Sequence, residues 1–135
     1  MTGDHPKTVL VIEDEPAGRR SIAAYLEDSG FSVMEAGDGQ AGLDLFAQKK
    51  PDIVVTDLRM PVLDGFGVME RLREISPETP IIVITGATDI SLMDTASGFG
   101  ARECVPKPIN DMRSLEEAIL RALTRGSGLD DVHES

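Results

Sequence analysis

The sequence predicts an α/β domain built on a five-stranded parallel sheet with helices on both faces. Five short β-branched runs alternate with longer segments of helical periodicity. The runs are near-continuous Val and Ile, as strands covered on both faces require. One helical segment follows each run, and strand–helix–strand crossovers within one sheet are right-handed and parallel. At 135 residues the chain is about one domain long, and a chain of this size buries roughly two thirds of its unfolded surface.

The first run, TVLVI at 8–12, leads to a helix that begins near Pro16, a residue accepted in a first turn, and ends at about Asp28, before Gly30. Ile22, Tyr25 and Leu26 supply its apolar positions. FSVME at 31–35 is the second strand, and the helix over 39–49 points Leu43, Phe46 and Ala47 one way. DIVVT at 52–56 is the third, followed by a helix over 65–75 with Met69, Leu72 and Ile75 on one face. PIIVIT at 80–85 precedes segment 88–99, where Thr88, Ser91, Thr95, Ser97 and Gly98 are weaker helix formers than Ala or Leu. That helix is expected to be the least rigid. ECVP at 103–106 is a weak fifth strand whose Pro106 lacks a backbone donor and suits a sheet edge. The last helix, 111–123, sets Met112, Leu115, Ile119, Ala122 and Leu123 opposite Arg113, Glu116 and Arg121. Residues 1–125 are expected to form one domain with its core at about 7–123, and 126–135 a flexible tail or the start of a linker.

Composition excludes several classes of function. Thirteen basic residues against twenty-four acidic give a formal charge of −11, which repels nucleic acid and anionic lipid alike. No apolar run approaches the length of a signal-peptide core or a membrane span, so a cytoplasmic protein is expected. The single Cys104 cannot form an internal disulfide, and His5 and His133 lie in polar terminal segments.

Chemistry gathers where the strands end. In a parallel sheet all carboxyl ends share one edge, and open α/β sheets bind ligands there. The first run ends in Glu13, Asp14 and Glu15, the third in Asp57, the fourth in Thr85 and the fifth in Lys107. The plainer reading of such acids is helix capping and turn formation. Yet neighbouring carboxylates about 4 Å apart repel by roughly 4 kcal/mol near a protein surface, so a cluster at one rim requires positive charge. Lys107 supplies part of it, and an all-oxygen cluster suits a hard cation such as Mg²⁺. A carboxylate beside Mg²⁺ can attack phosphorus, with Asp57 as nucleophile, Thr85 as the hydroxyl and Lys107 as the cation. No GxxxxGK[ST] loop is present, so the phosphoryl group must arrive already activated.

With VLVIEDEP, DIVVTDLRMPVLDG, PIIVITG and the KP of VPKPI in place, the chain resembles the receiver domain of bacterial two-component response regulators over about residues 7–123. The resemblance implies a flavodoxin-like sheet of order 2-1-3-4-5. It implies phosphorylation of Asp57 by a sensor histidine kinase or phosphotransfer protein, in a signalling domain that catalyses only its own phosphoryl transfer and loss. It also implies Mg²⁺ on Asp14, Asp57 and the backbone carbonyl of Arg59, Glu13 acting through water, Lys107 on the phosphoryl group, and a cis Lys107–Pro108 peptide. Similar domains meet partners on the face of the fourth helix, fifth strand and fifth helix. Cys104 holds the switch position where those domains usually carry an aromatic ring, and a small thiol cannot swing as a ring does.

Other readings remain open at this point. The fold can serve as an adaptor that binds protein without phosphorylation. GDGQAG at 37–42 fits GxGxxG after a strand with Asp57 twenty residues on, as a dinucleotide site does, though Asp38 would face the pyrophosphate. Output is expected through a downstream effector protein or through an effector domain beyond this sequence.

Overall fold

Strands and helices alternate through the whole of the computed structural model, which describes residues 6–60, 62–86, 90–107 and 111–125. The strands are β1 Thr8–Ile12, β2 Ser32–Ala36, β3 Ile53–Asp57, β4 Ile81–Gly86 and β5 Glu103–Lys107. The helices are α1 Pro16–Asp28, α2 Gly39–Lys49, α3 Gly65–Ile75, α4 Ile90–Gly98 and α5 Met112–Arg125. All pairings are parallel and the order is β2-β1-β3-β4-β5. The order reverses between β1 and β3, where such sheets open a crevice at their carboxyl ends.

The two-residue period of a strand divides the core into two layers. Val9, Val11, Ile53, Val55, Ile82 and Ile84 pack with α1 and α5 through Ile22, Leu26, Leu115 and Ile119. Leu10, Ile12, Val54, Ile81 and Val83 face α2, α3 and α4 through Leu43, Phe46, Val68, Met69, Leu72 and Ala96. Continuing the first parity beyond the apolar residues puts Glu13, Asp57 and Lys107 on the α1/α5 side, and continuing the second puts Thr85 on the α4 side.

Several sequence boundaries move by one residue, for local reasons. Phe31 is not in β2, because its N–H donates back to Leu26 O (3.0 Å) and closes α1. Pro80 offers no N–H, so β4 begins at Ile81, although Pro80 O still accepts from Val54 N at 3.1 Å. Asp57 stays inside the ladder as the register partner of Ile84, one residue later than the sequence reading ended the strand. The fifth strand takes in Lys107, and α5 runs on to Arg125. Pro106 does lie on an edge strand, exposed and in register with Thr85.

Packing accounts for the glycines of GDGQAG. A Cβ at Gly42 would lie 2.4 Å from Ile12 Cδ1, and one at Gly39 would lie 2.2 Å from Leu63 O. Asp38 accepts Ala41 N at 2.8 Å and caps α2. The motif seats a helix closely on the sheet.

Tyr25 on α1 donates its hydroxyl to Glu116 Oε1 on α5 at 2.8 Å. That hydrogen bond, with burial second, raises the phenol above its ordinary value. A raised folded-state value means that the contribution is present below the unfolded phenol's range and is lost as pH climbs through the folded one. Tyr25 is the only tyrosine in a chain without tryptophan. Tyrosinate absorbance is therefore expected to titrate later in the folded protein than after denaturation. Glu116→Gln should move the folded midpoint back toward the denatured one, and an unchanged midpoint would show that the contact does not hold in solution.

Candidate functional site

The site stands where β1 and β3 run out. Glu13 is 2% exposed and Asp57 6% exposed, whereas Asp14 is open to solvent. One carboxylate oxygen from each of the three lies within 4.8 Å of the others. Lys107 reaches from the edge strand across β4, and its Nζ lies 2.8 Å from Asp57 Oδ2 and 2.9 Å from Glu13 Oε1. Glu13 Oε2 accepts Glu15 N at 3.0 Å, and Asp57 Oδ1 accepts Arg59 N at 3.3 Å. The bonds from Lys107 and these N–H groups hold both buried carboxylates in direction.

Two buried carboxylates are tolerated here because they share one ammonium. Burial pushes the Glu13 carboxyl above the usual carboxylate range, against the pull of Lys107 and of Glu15 N–H. Burial opposes the Lys107 charge too, but the hydrogen bonds it donates to Asp57 and Glu13 outweigh it and raise the ammonium above its ordinary value. Three acids thus face one ammonium, and among the described residues Asp14 has no ion-pair partner. The donors are all oxygen and the cluster keeps a surplus of negative charge, a combination that fits a hard divalent cation.

Thr85 is buried at the end of β4, directly after Ile84, the register partner of Asp57. Cys104 is half-buried on the α4 side, with its Sγ 3.9 Å from Met93 O. Burial raises its thiol, with Asp94 and Glu103 adding to the effect. It therefore packs as a small apolar group and has none of the electropositive surroundings of a reactive cysteine. Glu13, Asp14, Asp57 and Lys107 are thus brought together, Thr85 lies on the adjacent strand, and Cys104 lies away from the acids. Pro108, and with it the expected cis peptide, falls outside the described residues, as do His5 and His133.

The sequence matches the family model for the response regulator receiver domain over residues 9–120. The chain belongs to that family. This receiver domain is similar to Response regulator MprA of Mycolicibacterium vanbaalenii, 39% identical over 128 residues that cover 93% of this chain and 54% of that protein. It is similar to the probable transcriptional regulator ycf27 of Porphyridium aerugineum, 35% identical over 94% of this chain and 53% of that protein. The chain spans about half the length of these curated relatives. Among solved structures, a response regulator receiver domain protein from Clostridium thermocellum matches with a TM-score of 0.85 at 32% identity, over 91% of this chain and 98% of that one. NtrX from Brucella abortus, solved in complex with ADP, matches with a TM-score of 0.88 at 26% identity, over 95% of this chain and 29% of that one. Two-component signalling and the receiver fold of order 2-1-3-4-5 follow for this chain. Among the described residues no helix is long and apolar enough to cross a membrane.

Residues of the loop after Asp57 also shape the receiver site. Gly65 N donates to Leu58 O at 2.9 Å, and a Cβ at Gly65 would fall 2.4 Å from Asp57 O. Glycine there lets the loop after Asp57 fold back on its strand. Val62, in the same loop, has φ +73 and is 81% exposed. A β-branched residue is strained in the left-handed region, and only its φ reveals this, since nothing about a valine in sequence marks it. Val62→Asn is expected to relieve that strain and stabilise the protein by about 1 kcal/mol. Urea denaturation should show a higher midpoint at unchanged slope, and a lower midpoint would contradict the assignment of strain.

Proposed function

We propose that the chain is a phosphorylation-activated switch that accepts a phosphoryl group on Asp57 from a sensor histidine kinase or phosphotransfer protein in the cytoplasm. One observation carries this reading: Lys107 on the edge strand reaches both Asp57 and Glu13, at 2.8 and 2.9 Å, so acids and cation from separate segments converge on one pocket. Asp57 offers a mostly desolvated carboxylate that Lys107 and Arg59 N–H hold in direction. An Asp57 oxygen forms the new P–O bond as the donor's P–N bond breaks, and the bond pair stays on that nitrogen as a lone pair, so the histidine leaves as neutral imidazole with its proton on the other ring nitrogen. Mg²⁺, held by Asp14, Asp57 and the Arg59 carbonyl with Glu13 through water, would take charge from the phosphoryl oxygens.

The chain's own groups do the rest. Lys107 transfers one of its hydrogen bonds from Asp57 to a phosphoryl oxygen and keeps Glu13 as its other partner. Phosphorylation adds roughly −1.5 to −2 charges and three acceptors, and these draw the Thr85 hydroxyl toward the phosphoryl group. Thr85 lies on the α4 side of the sheet, so its movement biases α4 between two arrangements. Cys104, packed against that same layer, contributes no ring rotation to the coupling. Output passes to a downstream effector protein or to an effector domain in the longer protein.

Incubation with acetyl phosphate and Mg²⁺ is expected to add one phosphoryl mass to the intact protein, and Asp57→Asn should abolish the gain. Omission of Mg²⁺ should suppress it as well. A wild-type protein that gains no mass, yet still binds its partner, would be a phosphorylation-independent adaptor.

A further inference from the structure

The carbonyl of Glu13 has run past the end of the ladder. Glu13 N still donates to Ala36 O on β2 at 3.1 Å, but β2 stops there. The carbonyl is taken instead by Arg19 of α1, whose Nη1 donates to it at 2.8 Å. Arg19 is in turn fixed from behind, its Nε donating to Glu35 Oε1 at 3.2 Å, while Arg20 pairs with the other oxygen of Glu35. Arg19 and Glu35 are largely covered, with side chains 20% and 23% exposed. A Cβ at Gly37 would approach Arg19 Nη1 to 3.3 Å, so glycine there leaves the guanidinium its space. A planar guanidinium with donors on two sides is suited to such a two-point grip.

Resting on the reading of the pocket given above, we propose that Arg19 is a positioning residue for the cation and phosphoacceptor site. By holding the Glu13 carbonyl it sets the peptide between Glu13 and Asp14. That peptide determines how both acids present their oxygens to Mg²⁺. Arg19 touches neither the cation nor the phosphoryl group.

The direction of the expected effect separates positioning from simple charge. Removing a cation from the neighbourhood of a dication site should, by field alone, tighten binding. Positioning predicts the reverse, because partners that orient metal ligands typically cost 10- to 100-fold in affinity when removed. Calorimetric titration of the whole chain with MgCl₂ is the test. Arg19→Met is expected to weaken Mg²⁺ about tenfold, while Arg20→Met, which loses the far side of Glu35 and an exposed pair with Glu27, stays within about threefold of wild type. Arg19→Lys keeps the charge but not the two-point grip, and should also weaken binding by more than about threefold. It serves as the second variant should Arg19→Met fail to fold. Wild-type or tighter affinity in the folded Arg19 variants would overturn the inference while leaving the pocket's function intact. A wild-type chain that binds no Mg²⁺ would remove both.

Discussion

Everything at the rim depends on one lysine reaching over a strand. Lys107 sits on the edge strand β5, while the acids it pairs with sit on β3 and β1. Adjacent strands are spaced about 4.8 Å apart, so the ammonium works at the end of nearly its full stem. Two carboxylates as deeply covered as Glu13 and Asp57 would otherwise face each other's charge without compensation. The shared ammonium offsets that repulsion where both acids meet the rim. The sheet supplies the alignment, since strand parity places Glu13, Asp57 and Lys107 on the same side. The rigid β-sheet and the reactive rim are therefore parts of one arrangement.

Much of this was legible in the sequence because burial on both faces writes itself as unbroken aliphatic runs. VLVI, IVVT and IIVI announced a parallel sheet, and the residue after each run, Glu13, Asp57 and Thr85, announced the rim. Pro106 foretold an edge strand for a purely covalent reason, its missing N–H. What stayed hidden depends on long-range geometry. Nothing local in Val62 signals φ +73. Sequence reading singled out neither Arg19 nor Glu35, though a signal was present: a glutamate inside β2 and two arginines on the helix that crosses to it. GDGQAG offered a dinucleotide alternative because tight helix-to-sheet packing and phosphate binding ask for the same glycines.

The two layers of the core divide the work of the domain. The α1/α5 layer is joined by aliphatic packing and by the Tyr25–Glu116 hydrogen bond, and α1 also carries the arginine that grips the end of β1. The opposite layer holds Thr85's side of the sheet, Cys104 and the short helix α4. Phe66 and Phe99, with ring centroids 5.1 Å apart, connect α3 to the end of α4. Under the proposed switch, a pocket anchored in one layer would be read out through the other, so that a charge change at Asp57 alters a surface without disturbing the acids that hold it.

The central claim is that Lys107 and Asp57 are energetically one unit. A double-mutant cycle combining Lys107→Met with Asp57→Asn, followed by urea denaturation in the presence of a chelator, measures this directly. The account predicts strong non-additivity, with a coupling of roughly 1–3 kcal/mol. Effects that simply add, to within about 0.5 kcal/mol, would mean that the ammonium and the carboxylate do not depend on each other.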